Sequence, residues 1–114
     1  MKKALSGIFG AGVIALWLIS NPTVTTAAAP TGNAEKGKEV FEQCSACHNV
    51  ENDEKKMGPS LKGLYKREKL KNGKKVTDAN VKALIDAGGS GMPAYADMLS
   101  DQEKADVIAF LHTV

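Results

Sequence analysis

Cys44-Ser45-Ala46-Cys47-His48 holds both cysteines of this 114-residue chain and one of its two histidines. C-x-x-C-H is the attachment sequence of a c-type haem, and the chemistry needs that spacing. Two thiols separated by two residues on a helical turn can each add to one vinyl group of the same porphyrin. The next residue then sets an imidazole on one side of the iron. The alternatives fit less well. A thioredoxin-like C-x-x-C wants a βαβ setting, and no segment here reads as a strand. A structural zinc site needs four ligands. Cys44, Cys47, His48 and the distant His112 supply them on paper, but three adjacent ligands at this spacing are hard to arrange on one tetrahedron. A Cys44–Cys47 disulfide would close too small a loop to stabilise much. The motif therefore points to one covalently attached haem c.

The first residues have the layout of a secretory leader. Lys2 and Lys3 give a positive start, and an apolar run of 16 residues from Ala4 to Ile19 follows, interrupted by Ser6 and three glycines. Ser20-Asn21-Pro22 ends it, and the small residues Thr25-Thr26-Ala27-Ala28-Ala29 come next. Cleavage is expected after Ala27 or Ala28, which makes residues 1–28 a signal peptide. The rival reading is an uncleaved anchor, although the run is short of the ~20 residues that span a bilayer. Either way the domain is expected to be exported to the periplasm, or held at the membrane if the leader is kept. A domain of about 86 residues lies near the size at which a core needs a staple, and a buried porphyrin is one. The aromatic content of 5% fits a core made partly of cofactor.

The whole-chain charge is +2, and without Lys2 and Lys3 it is zero. Its distribution is uneven. From Lys55 to Lys82 there are ten basic residues against Glu68 and Asp78, with acidic segments on either side. A solvated face explains such a run, and so does a docking patch for an acidic redox partner. Nucleic acid is excluded as a partner by the absence of a binding motif and the neutral domain.

Three helices are expected. Asn33 is an N-cap candidate for a helix over Ala34 to about Cys44, with Val40, Phe41 and Cys44 at helical spacing. Gly37 inside it costs about 1 kcal/mol relative to Ala, a cost that a close helix crossing would explain. Gly58-Pro59 is a turn signal, and Leu61 to Lys69 has room for a short helix. Asn72-Gly73 is a strong turn dipeptide. Its flanks lack strand alternation, so it reads as a loop rather than a hairpin tip. A second helix starts at Thr77 or Asp78, carries Val81, Leu84 and Ile85, and stops at Gly88, which suits a left-handed cap. Ser100-Asp101-Gln102-Glu103 is a capping box for a last helix with Val107, Phe110, Leu111 and Val114 on one face and Ile108 beside them. The fold class is all-α, with long loops wrapped around a cofactor.

A second axial ligand must come from elsewhere in the chain. Apart from the initiator, the thioethers are Met57, Met92 and Met98. Most methionines fill gaps in cores, and Met98 reads that way; Met57 suits core or surface. Met92 lies between a glycine run and Pro93, 44 residues past His48, which suits a side chain presented from a loop on the far side of a haem. His112 is the weaker option, since a histidine in the last turn of a helix is favoured by the helix dipole alone.

With these motifs in order, the chain resembles a small single-haem class I c-type cytochrome of bacteria over roughly Gly32 to Val114. The residues that carry the resemblance are Cys44-Ser45-Ala46-Cys47-His48, then Gly58-Pro59-Ser60-Leu61-Lys62-Gly63-Leu64-Tyr65, then Gly91-Met92-Pro93-Ala94-Tyr95, then the Leu99-Ser100-Asp101 helix start. The resemblance implies a cytochrome c-like domain over residues 32–114, with Cys44 and Cys47 as thioether residues, His48 as proximal ligand and Met92 as distal ligand. It implies that the Pro59 carbonyl accepts a hydrogen bond from the outer nitrogen of His48. It also implies that Gly37 and Phe41 cross the last helix near Phe110. Tyr65 and Arg67 fall where the family places groups near a haem propionate, Arg67 being otherwise one more solvated cation, and Tyr95 packs on the methionine side. Trp17 lies in the leader, so a propionate tryptophan is absent.

A His/Met pair leaves no open position on iron, which favours outer-sphere electron transfer over substrate chemistry, and thioether ligation raises the potential relative to bis-His. The expectation is a monomeric, non-enzymatic single-electron carrier between periplasmic or membrane-bound redox partners. A tethered or docked haem subunit is a second reading. A haem enzyme or gas sensor is a third, and it requires Met92 to be off the iron.

Overall fold

The computed structural model describes residues 30–114, together with Gly7, Gly10 and Gly12; the rest of the expected leader lies outside the described residues. Among the described residues three α-helices follow in order, α1 Ala34–Phe41, α2 Asp78–Ala87 and α3 Asp101–Leu111, with a 3-10 turn at Leu64–Lys66. No strand occurs among the described residues. The architecture is the expected all-α one.

The caps explain where the helices begin. Asn33 is extended and its side chain accepts from the Lys36 N–H, so α1 starts one residue later. Thr77 caps α2 in the same way through the Asn80 N–H. Ser100 and Glu103 form the reciprocal capping box of α3, which satisfies two orphan N–H groups at once. The α1 helix stops at Phe41, short of the expected Cys44, because the chain tightens into successive turns. The N–H groups of Cys44 and Ser45 share the Phe41 carbonyl, and those of Cys47 and His48 share that of Cys44.

Two loops also differ from expectation. The segment Leu61 to Lys69 forms only the 3-10 turn at Leu64–Lys66, not a longer helix. Asn72-Gly73 does sit at a hairpin-like tip. Leu70 N–H bonds the Lys74 carbonyl at 2.8 Å, and Lys69 and Lys75 form an isolated antiparallel bridge. The pairing stops there because the flanks offer no alternating apolar face to extend it.

The core is one cluster that joins Phe41 of α1, Val81 and Ile85 of α2, and Val107, Ile108 and Leu111 of α3 with the loop residues Leu64, Tyr95 and Leu99. The helix crossing of α1 on α3 is its backbone. A Cβ at Gly37 would overlap the Asp106 carbonyl and come 2.9 Å from the Phe110 Cβ, so only glycine permits this approach. Beside it, the rings of Phe41 and Phe110 lie 5.3 Å apart at 47°, a favourable tilted pair. Buried Asp106 locks the crossing by accepting from the Asn33 N–H and from Gln102 Nε2, both at 2.8 Å. Those two donors, the Asn33 N–H first, hold its carboxyl below the usual carboxylate range.

Candidate haem site

The turn that ends α1 places Cys44 and His48 on one wall of an apolar cleft between the helices. Both thiols, Cys44 and Cys47, are free and half-buried. Burial, and secondarily Cys47, pushes the Cys44 thiol above its ordinary pKa. His48 is oriented by its outer nitrogen. Nδ1 lies 2.8 Å from the Pro59 carbonyl oxygen, so the neutral ring donates there and Nε2 is left unprotonated, the form that binds a metal. Gly58 makes room for this arrangement. Its N–H bonds the Cys47 carbonyl at 2.8 Å, and a Cβ on it would lie 2.6 Å from His48 Cε1.

Met92 and Tyr95 line the same cleft as Cys44 and His48. They come from the loop that follows α2. Its start is Gly88, which has φ 62° and ψ −148°. That is not the left-handed cap expected from sequence but a conformation essentially reserved for glycine. A Cβ there would meet the Met92 and Pro93 carbonyls. Gly89 and Met92 then exchange N–H···O bonds of 2.9 and 3.0 Å. Ser90 and Gly91 turn between them with φ of 53° and 90°, both positive as a type I′ turn requires. Tyr95 is buried, and its phenol is pushed above the ordinary tyrosine pKa, first by desolvation.

The remaining lining is hydrocarbon: Phe41, Leu61, Ile85, Leu99, Val107 and Leu111. A flat apolar cofactor is what such walls accept. The donor set fits a covalently held haem: two free thiols in a C-x-x-C pattern, Cys44 of them on the cleft lining, an imidazole with its outer nitrogen already bonded, and a thioether on the same cleft. Among the described residues no group of three or more His, Cys, Asp or Glu could hold a metal ion by itself, so the zinc arrangement is not assembled.

The other expected residues lie outside the cleft lining. Pro59 acts through His48. Arg67 is not a solvated cation: its Nη2 donates to the carbonyls of Ser60 and Lys62 at 3.0 and 2.7 Å and so pins the loop after Pro59. The Tyr65 ring stacks on His112 at 3.5 Å between centroids. Its hydroxyl is buried without a well-formed hydrogen bond, and desolvation, then the neighbouring Asp78 carboxylate, raises its pKa. His112 Nε2 lies 2.8 Å from Asp78 Oδ1, which removes it as a partner for the cleft. Met57 is 85% exposed and Met98 63% exposed. Met98 is therefore not the core residue expected; its neighbour Leu99 takes the inward position.

One residue near the site went unread in the sequence. Lys104 is only 4% exposed, with Nζ 2.7 Å from Asp86 Oδ1 and 2.9 Å from the Ala96 carbonyl. The signal was its place four and seven residues before Ile108 and Leu111, on the apolar stripe itself.

A haem-binding all-α domain is the class that this fold and cleft define. The cytochrome c family model matches residues 34–114, and the chain belongs to the cytochrome c family. A cytochrome c of Tetrahymena pyriformis is 30% identical over 109 positions, covering 82% of this chain and 96% of that protein. Cytochrome c6 of the diatom Phaeodactylum tricornutum superposes with a TM-score of 0.57 at 27% identity, covering 72% of this chain and 93% of that one. Cytochrome cH of Methylobacterium extorquens does so with a TM-score of 0.52 at 25% identity, covering 73% and 100%. The cofactor is covalently bound haem c, and the activity is haem-based electron transfer with redox partner proteins. No helix among the described residues is long and apolar enough to cross a membrane.

Proposed function

We propose that the protein is an exported, non-enzymatic carrier of single electrons whose haem c is bonded to Cys44 and Cys47 and ligated by His48 and Met92. The observation that carries this is the 2.8 Å contact of His48 Nδ1 with the Pro59 carbonyl, which leaves the other ring nitrogen free on a residue that lines the same cleft as Met92. When bound, the haem supplies a single-electron couple. The chain's own work is to hold both axial side chains in fixed places and to exclude water with hydrocarbon walls. It lowers the reorganisation that each electron transfer requires. With His48 and Met92 both holding the iron, no position would be left open to a substrate, which would favour outer-sphere transfer over substrate chemistry. Apolar walls favour the less charged, reduced centre. The visible spectrum of the oxidised and reduced protein tests this beside Met92→Ala. Wild type should show a weak near-red band of methionine bound to ferric haem, and the variant should lose it while keeping the covalent haem. A wild-type spectrum without that band, or one that shifts readily with carbon monoxide, would move the reading to a sensor or enzyme.

The partner-facing surface is read as the basic segment 55–82. Lys62, Lys66 and Lys69 are exposed within it, and exposed cations steer an acidic partner through on-rate more than through affinity. Charge reversal at these three lysines should slow exchange with an acidic partner at low salt. An unchanged rate and salt dependence would remove the docking role.

A further inference from the structure

Met92 sits on a loop whose two feet meet at one buried cation. The loop follows the last turn of α2, which carries Asp86, turns at Ser90-Gly91, and returns at Tyr95 and Ala96, whose N–H groups bond the Ile85 and Asp86 carbonyls at 3.0 and 3.3 Å. Lys104 reaches this junction from α3. Its ammonium forms an ion pair of 2.7 Å with the Asp86 carboxylate on the outgoing foot. It also donates to the Ala96 carbonyl on the returning foot at 2.9 Å. An ammonium with 4% exposure is costly to bury unless it is paired, so the site is worth having only if both partners stay in place. The other charged groups at the junction are Lys82, 2.9 Å from Asp86 Oδ2, and Asp101, 3.9 Å from both ammonium groups. Asp86 thus answers to two cations, and Lys104 first, then Lys82, holds its carboxyl below the ordinary range. Lys82, four residues from Asp86 on the same helix, reaches α3 through the 3.9 Å contact with Asp101 but is not among the partners of the returning foot. Lys104 joins α3 to the end of α2 and to the far end of the methionine loop.

We propose that Lys104 is a positioning residue that holds the Met92 loop closed, and so sets how readily the Met92 side of the haem opens to an outside ligand. The proposal rests on Met92 being the axial ligand.

The test uses the oxidised holoprotein as wild type, Lys104→Met and Lys104→Arg. Methionine keeps the length and fills the volume without the charge; arginine keeps the charge and the donors. Added imidazole is titrated at fixed pH, following loss of the near-red band. Apparent affinity for an incoming ligand scales with the open fraction, and a lost charge-assisted hydrogen bond is large enough to raise that fraction about tenfold. Lys104→Met should bind imidazole about tenfold more tightly, with Lys104→Arg close to wild type. Amide exchange should report the same event: the Tyr95 and Ala96 N–H groups should exchange about tenfold faster in Lys104→Met, while amides of the α1 turns 37–41 keep their protection. Equal imidazole affinity in wild type and Lys104→Met overturns the proposal. So does Lys104→Arg behaving like Lys104→Met, or a loss of protection spread evenly over α1 and the loop, which would mark a general loss of stability. A wild-type protein with no near-red band, unchanged by Met92→Ala, overturns the ligand assignment and this inference together, an outcome separable from the others by the wild-type spectrum alone.

Discussion

The His48 wall and the Met92 wall of the cleft are held by different kinds of contact. On the His48 side the ties named are hydrogen bonds within one continuous segment, residues 41–61. The Cys44 N–H bonds the Phe41 carbonyl at 2.8 Å, the His48 N–H bonds that of Cys44 at 2.9 Å, and the Leu61 N–H bonds that of Asn49 at 2.7 Å. Pro59, eleven residues on, fixes the ring. On the Met92 side the backbone ties are one small turn with a non-glycine residue at positive φ and the Tyr95 and Ala96 N–H bonds to the end of α2, and the junction is closed by a charged side chain from another helix. Contacts that close locally are hard to open singly. A loop whose closure depends on a single side chain of another element is drawn from the low-stability end of the molecule. The expectation is a cleft whose two sides differ in firmness, with the Met92 side yielding first.

The largest effect should come from breaking the frame that both walls share. Gly37→Val puts a branched side chain where even a Cβ would overlap the Asp106 carbonyl. Overpacking of a close crossing with no room to relax should cost about 3 kcal/mol or more. Urea unfolding of the holoprotein should show the loss, with haem absorbance and helicity moving together. A stability within about 0.5 kcal/mol of wild type would mean that α1 can shift off α3 freely, and the contrast between walls would then need another cause.

A smaller change should touch one wall only. Gly58→Ala places a methyl 2.6 Å from His48 Cε1 and 2.8 Å from Nδ1, so the imidazole or the backbone must move by several tenths of an ångström. A cost of about 1–3 kcal/mol is expected. The NMR signals of the His48 ring should shift while the near-red band stays at wild-type intensity. Loss of that band with an unmoved His48 ring would show that the two walls are coupled and would break the comparison.

The same contrast governs how much could be read from the chain. The His48 wall is legible because its physics is local: C-x-x-C-H, Gly58-Pro59 and the Asn33 cap each define their neighbourhood within a few residues. The start of α3 is equally plain, since a capping box closes within four residues. The Met92 wall is legible only as a motif. That Gly88 would adopt a glycine-only backbone rather than a left-handed cap depends on the Met92 and Pro93 carbonyls lying against it. That Lys104 would be buried depends on Asp86 and Ala96 meeting it there, eighteen and eight residues away in sequence. Arg67 reads as a surface cation until the Ser60 and Lys62 carbonyls are seen to converge on it. Met98 reads as core because a methionine beside a helix start has no local feature to say that Leu99 takes that place.

The smallest effect should come from Ser90, and it bears on the comparison most directly. Its φ of 53° lies in the left-handed region, where a side chain costs roughly 1–2 kcal/mol. Ser90→Gly removes that strain, but glycine also gains freedom in the unfolded chain, which takes back about 0.5–1 kcal/mol. Global stability should therefore change by less than about 1 kcal/mol. The loop itself should open less often, because local opening releases the strain in the serine protein without unfolding the chain. Imidazole should bind the glycine variant a few-fold more weakly, and Ser90→Val, with a branched Cβ in the same conformation, more tightly. A reversed order would mean that the turn is not under strain at Ser90. The weakness of the methionine side would then lie wholly in its distant anchor at Lys104.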